Sequence, residues 1–253
     1  KKVEEKAVED LLQQLSGYKA QFSSSKNKPS ENSENSVDKE KETGEKGVRY
    51  LEQLVQFTNN LQKDLMDIVF GQDNAVSLFA QGYFQAEVFA KADKARVSPK
   101  ATYLFAGPPG VGKTFLAENA AKLLNLPYMR FDMSEYSDKE ANLEFCGSDK
   151  VYKGSKPGNV TSFVKENPRS ILLFDEIEKA HINIIHLFLQ ILDAGRLRDN
   201  CTDEEVSFRD TIIIFTTNAG HQLYENSLTS NLSGYTRQSI LDALKKDVDS
   251  STK

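Results

Sequence analysis

The sequence predicts an α/β fold in which a parallel sheet carries helices on both faces. Three observations lead there: four short apolar runs, helical periodicities between them, and a glycine-rich break at the end of the first run. The runs are TYLFA (102–106), YMRFDM (128–133), ILLFDE (171–176) and TIIIFTTN (211–218). Strands apolar nearly throughout must be covered on both sides, and helical crossovers between parallel strands supply that cover.

Along the chain, Val3, Ala7, Val8, Leu11, Leu12 and Leu15 recur at helical spacing, giving an expected amphipathic helix over 1–22. Residues 23–47 contain a single aliphatic residue, Val37. That is too little apolar surface to offset the entropy of ordering, so this segment is expected to be a flexible linker. The domain then runs over 48–253. Leu51, Leu54, Val55, Thr58, Leu61 and Leu65 mark one helix face, and Ala75, Val76, Phe79, Tyr83, Ala86 and Phe89 mark a second. Further helices are expected at 115–124 and 182–194, the latter closed by Gly195, and another stops at Asn167 before Pro168. Beyond Asn218 the chain is polar, with one more expected helix at 237–248.

Composition removes some function classes. With 253 residues, 39% of them hydrophobic, the chain can build a sizeable core. Its formal charge of −5 offers no broad positive field for nucleic acid. No apolar run reaches the roughly 20 residues that cross a bilayer, so no membrane association is expected. Two cysteines, Cys146 and Cys201, make no disulfide framework, which suits a reducing compartment and a cytoplasmic location. A chain that starts at Lys1 reads as a fragment.

The break between the first strand and the following helix is Gly107-Pro108-Pro109-Gly110-Val111-Gly112-Lys113-Thr114, followed by Phe115. It fits G-x-x-x-x-G-K-[ST] in the strand–loop–helix context that the pattern requires. Backbone amides and a helix N-terminus converge there on phosphate, Lys113 brings a charge to the β/γ oxygens, and the Thr114 hydroxyl is a ligand for Mg2+. ILLFDE supplies the complement at the C-terminal end of a strand: Asp175 to hold the magnesium and Glu176 to polarise the attacking water. Asn218, ending TIIIFTTN, is placed to orient the same water. His181 and His186 lie five apart, off the spacing of paired helical ligands, and read as structural.

Together these residues resemble an AAA+ ATPase, and more narrowly the second ATPase module of Clp-type protein unfoldases and disaggregases. The resemblance runs from about Leu65 to Gly220 through VFGQDNAV, GPPGVGKTFLAENAA, RFDMSEY, ILLFDEIEKAH, LFLQILDAGRLRD and SFRDTIIIFTTNAG, in family order. It implies a P-loop NTPase large subdomain, with ATP or ADP and Mg2+ as cofactors, Val69 and Phe70 against adenine, and Asn218 as sensor 1. It also implies a homohexameric ring in the intact protein, acting on polypeptides. In GSDKVYKG (147–154), Tyr152 takes the place of the channel residue that grips substrate, although Val151 and Lys153 depart from the family's glycine and small residue.

Other departures shape the expectation. No recognisable arginine finger or sensor-2 arginine precedes Lys253, so the fifth strand and helical lid are expected to be missing and hydrolysis by the isolated chain to be feeble. The segment HQLYENSLTSNLSGYTRQS lacks the docking tripeptide of members that feed the Clp peptidase, which disfavours that partner. NCTDEEVSF places Asp203, Glu204 and Glu205 where the family loop is basic; facing a channel they would repel acidic substrates, and a solvated turn is the alternative. Two other functions stay open: a nucleotide-gated assembly scaffold without threading, and a nucleic-acid remodeller supported by the fold alone.

Overall fold

The computed structural model describes residues 34–149 and 154–218, with side chains from Gly47 onward. Two long helices come first, α1 (Glu34–Ile68) and α2 (Asp73–Ala92). The first corrects the expected organisation, since 34–47, read from composition as flexible linker, is helical. Poverty in apolar residues argues against a core and not against a helix. Glu and Lys are good helix formers, and lengthening an existing helix needs no new nucleus. Contacts divide the chain after Arg49, and 50–253 is the unit that carries the sheet. The expected helices at 1–22 and 237–248, and 23–33 of the linker, lie outside the described residues.

There follow β1 (Ala101–Ala106), α3 (Lys113–Leu124), β2 (Tyr128–Asp132), α4 (Asn142–Phe145), α5 (Asn159–Glu166), β3 (Ile171–Asp175) and α6 (Ile182–Ala194). A small hairpin, β4 (Arg196–Arg198) and β5 (Glu205–Ser207), precedes β6 (Ile212–Thr217). The main sheet has the order β1-β6-β3-β2 with every pair parallel, and among the described residues β1 is an edge. All four expected strands and their crossovers are present. Register brings Asp132 opposite Asp175 and Ala106 opposite Thr217, so the C-terminal ends of the strands align along one rim.

The two central strands are buried at every position, and their alternation sorts side chains into two cores. Leu172, Phe174, Ile213 and Phe215 face α5 and α6, where Val160, Val164, Ile184, Phe188 and Ile191 meet them. Aromatic contacts organise this side: the Phe174 ring centroid lies 4.6 Å from that of Phe188 and 5.6 Å from that of Phe215. Ile171, Leu173, Ile212 and Ile214 face the other way, toward Leu61 and Leu65 of α1, Val76 and Phe79 of α2, and Ala117 and Ala120 of α3. The sheet is thus held from both sides, which fixes the rim where its strands end.

Local chemistry sets the ends of the elements. His181 caps α6, its Nδ1 accepting from the Asn183 amide at 3.2 Å, a structural role for that histidine. Gly195 ends the same helix at φ 64°, and a Cβ there would stand 1.7 Å from the Val97 carbonyl oxygen, so only glycine fits. The acidic hairpin loop does not carry three bare charges. Glu205 pairs with Arg196 at 2.7 Å, Asp203 with Arg198 at 2.5 Å, and Glu204 with Lys165. These pairs are exposed and add little stability, but they cancel the field expected from the sequence and favour the solvated-turn reading. Among the described residues no helix is long and apolar enough to cross a membrane.

Candidate active site

The loop between β1 and α3 turns back on itself at Gly110 (φ 82°) and Gly112 (φ 94°), a backbone region that side-chain-bearing residues rarely adopt. Pro109 and Gly110 are exposed at its tip, while Gly107 is buried at its root, its amide donating to Thr217 O at 3.2 Å. Lys113 opens α3 and folds over the loop. Its Nζ donates to Gly107 O at 2.7 Å, Pro108 O at 3.0 Å and Asn218 Oδ1 at 2.8 Å. All three donors of the ammonium are used. Burial depresses the Lys113 pKa, while Asp175, Glu178 and Glu176 pull the other way. A cation held in partial burial by neutral acceptors, with carboxylates near, is one that gains from an incoming phosphate.

Asp175, 6% exposed at the end of β3, is ringed by donors. Thr216 Oγ1 donates to its Oδ1, Arg130 Nη2 lies 2.7 Å from Oδ2, and Thr114 Oγ1 stands 3.4 and 3.3 Å from the two oxygens. Thr114 and Asp175 therefore share one point as hard oxygen donors. No group of three or more His, Cys, Asp or Glu side chains among the described residues makes a metal cage. One hydroxyl and one carboxylate beside a phosphate site suit Mg2+, which keeps several waters and is completed by nucleotide oxygens.

Glu176 follows in the left-handed region, at φ 58° and ψ 54°. Such a backbone costs a non-glycine residue about 1–3 kcal/mol and persists where surroundings enforce it. Here the Glu176 amide donates to Thr216 Oγ1 at 3.0 Å. Its carboxylate accepts from Asn218 Nδ2 at 2.7 Å and lies 2.5 Å from Lys179 Nζ. The Asn218 amide in turn donates to Glu178 Oε1 at 3.0 Å. One asparagine side chain thus bridges lysine and glutamate: its oxygen faces Lys113 and its nitrogen faces Glu176.

Val69 and Phe70 divide in character. Val69 is buried in the core against α2 and α3, whereas Phe70 is 84% exposed. Phe115 is exposed on the first turn of α3. A cleft of about 240 Å³ opens beside the loop between Gln72, Phe79, Leu104, Val111, Gly112 and Lys113. Tyr152 lies outside the described residues.

A family profile, AAA domain (Cdc48 subfamily), matches residues 98–251, which span the loop, the Asp175–Glu176 pair and Asn218. The chain belongs to the AAA domain family. By that membership it is a nucleotide-binding ATPase domain, and its relatives are of Clp type. It is 40% identical over 192 residues to Chaperone protein ClpB of Clostridium perfringens, covering 73% of this chain and 22% of that protein. It is 43% identical over 174 residues to the ATP-dependent Clp protease ATP-binding subunit ClpE of Lactococcus lactis, covering 67% of this chain and 23% of that one. A ClpB of Bacteroides thetaiotaomicron is 36% identical over 193 residues, 75% of this chain and 22% of its own. The AAA chain spans less than a quarter of the length of these relatives.

Four participants in the AAA site were missed in the sequence: Arg130, Thr216, Glu178 and Lys179. Arg130 sits two residues before Asp132, which pairs with Asp175 across the β2–β3 register, and reaches the carboxylate diagonally. Thr216 left a usable signal. A hydroxyl inside an all-buried strand must find a partner, and the strand's neighbour ends in acids.

Proposed function

We propose that this domain hydrolyses ATP as one module of a Clp-type polypeptide unfoldase or disaggregase, working in a homohexameric ring that threads its substrate. The observation that carries the reading is the bridge from Lys113 through Asn218 to Glu176, which ties the phosphate-binding cation to the acid that activates water.

On arrival of ATP, Lys113 exchanges the Gly107 and Pro108 carbonyls for β- and γ-phosphate oxygens, and the amides of 110–114 close on the β-phosphate. Thr114 and Asp175 would hold Mg2+, which would supply neutralisation of phosphate charge. Glu176 accepts a proton from the water that attacks the γ-phosphorus as the bond to the β,γ-bridging oxygen breaks and ADP leaves, and its bond to Asn218 orients the carboxylate. Phe70 stands exposed for contact with the base, with Val69 behind it in the core.

Tyr152 is assigned to grip extended polypeptide. A tyrosine on a glycine-flanked loop gives an apolar contact tolerant of sequence, and Lys150 and Lys153 add positive charge. Two free cysteines support a cytoplasmic setting. Clp peptidase docking and nucleic acid are not part of the proposal. The test is Tyr152→Ala in the assembled protein. ATP turnover is expected to persist while unfolding of a model substrate falls at least about tenfold, the worth of a lost aromatic contact of roughly 1.4 kcal/mol. Undiminished unfolding would remove threading and leave the nucleotide-gated scaffold.

A further inference from the structure

Arg130 lies in β2 with Leu173 as its partner across the pair to β3. Partners in a parallel pair share a face, and Leu173 packs on the side of Ala117 and Ala120 of α3, as does Tyr128 two residues before Arg130. The Arg130 side chain therefore starts on the face that carries the helix of the phosphate loop. It runs from there to the rim, where Asp132 and Asp175 stand opposite each other. Its Nη2 lies 2.7 Å from Asp175 Oδ2 and 3.8 Å from Asp132 Oδ2. The two acids differ as seats for the guanidinium, since the Asp175 side chain is 9% exposed and that of Asp132 36%.

Asp175 has no acceptor to spare. A carboxylate offers about four lone-pair sites. Thr216 Oγ1 donates to Oδ1, Thr114 Oγ1 approaches both oxygens at 3.4 and 3.3 Å, and Arg130 takes Oδ2. The Thr114 hydroxyl can donate to Asp175 and still present a lone pair to a metal, and Thr216 is fully buried. Arg130 is the donor able to leave, being half in solvent with a second carboxylate within reach. Asp132 is kept ready for it: the Ser134 amide and hydroxyl donate to Asp132 Oδ1 at 2.9 and 2.6 Å, which leaves Oδ2 to Arg130.

We infer that Arg130 is a positioning residue, a resident counter-ion that holds Asp175 until a metal–nucleotide complex claims that carboxylate and then transfers to Asp132. The inference rests on the reading of Thr114 and Asp175 as magnesium ligands given above. Without the guanidinium, phosphates arriving ahead of the metal would meet a buried acid with no compensating cation. With it, the acid is neutralised from within, and a metal must displace a cation to reach Oδ2. Arg130 thus narrows the difference between nucleotide binding with magnesium and without it.

The readout is the factor by which saturating Mg2+ tightens ADP binding, taken from calorimetric dissociation constants of the 253-residue chain in excess Mg2+ and in EDTA. Arg130→Met is expected to raise that factor about fivefold over the parent, the upper range for a pair whose cation is half in solvent. Asp132→Asn keeps the acceptor that Ser134 uses and removes the second seat, so the factor should fall about twofold. In the double variant the Asp132 change should add nothing, because the group it serves is gone. If Arg130→Met does not melt cooperatively, Arg130→Lys, which keeps the charge on a head that cannot fork, should raise the factor about twofold. A purely structural Arg130 would weaken both constants alike and leave the factor unchanged, which overturns the inference. An Asp132→Asn effect that persists in the double variant overturns it too. A parent chain that binds ADP equally with and without Mg2+ would instead remove the magnesium reading itself, and the inference with it.

Discussion

Glu176→Gln is expected to retain bound ATP and lose nearly all turnover. A positioned general base contributes about 10²- to 10⁴-fold to rate, and the amide cannot take a proton. Geometry argues that binding survives. The glutamine can still offer an oxygen to Asn218 Nδ2, now at 2.7 Å from Oε1, so Asn218 keeps its hold on Lys113. The strained backbone at φ 58° is held by Thr216 through the main-chain amide, which the substitution does not alter. Single-turnover hydrolysis beside equilibrium ATP binding checks this, with the dissociation constant expected within about threefold of the parent, less than one ordinary hydrogen bond. The same variant separates the motor from a scaffold, since an ATP-locked motor stalls and an ATP-gated scaffold works.

Lys113→Met should act on the opposite side of the balance. Replacing the ammonium removes charge-assisted bonds to two phosphates, and nucleotide affinity is expected to fall about 10²- to 10³-fold. Two effects oppose each other in stability: the burial that lowers the Lys113 pKa is relieved, but Gly107 O, Pro108 O and Asn218 Oδ1 lose their donor. Thermal unfolding without nucleotide should therefore shift by only a few degrees, while the stabilisation that ADP confers on the parent disappears. A variant that lost both together would make Lys113 a structural residue.

How far the sequence could be read depended on whether a feature was contiguous. β3 and β6 stand out as apolar runs because strands buried on both faces have no polar alternation to blur them, whereas β1, exposed at Thr102, Leu104 and Ala106, stands out because even its exposed positions include Leu and Ala. Gly107 to Thr114, Asp175, Glu176 and Asn218 were legible for the same reason, each lying at the end of such a run. Arg130 was not. Its meeting with Asp175 depends on the β2–β3 register, and its neighbours in YMRFDM give no hint of a partner more than 40 residues away. The β4–β5 hairpin was missed because two three-residue strands with one buried residue each, Leu197 and Val206, are too short for a period of two to show. Residues 34–47 were misread because composition reports whether a segment can build a core, whereas helix formation needs only propensity and a helix to extend.

Arg130 and Lys179 also alter the picture of the two acids. Each places a cation against a carboxylate of the proposed site, Arg130 at 2.7 Å from Asp175 and Lys179 at 2.5 Å from Glu176. With Lys113 this makes three basic groups beside three acids, Asp175, Glu176 and Glu178, at the rim of a sheet, a balance of charge suited to a polyanion arriving with its own cation.

Calorimetric titration of the folded chain with ADP and magnesium goes straight to the premise beneath all of this. Saturable one-to-one heat with a dissociation constant well below millimolar, more favourable than about −4 kcal/mol, is what a loop of this geometry around Lys113 and Thr114 demands. An absence of heat and of any thermal shift up to millimolar nucleotide, from chain that melts cooperatively, would contradict it.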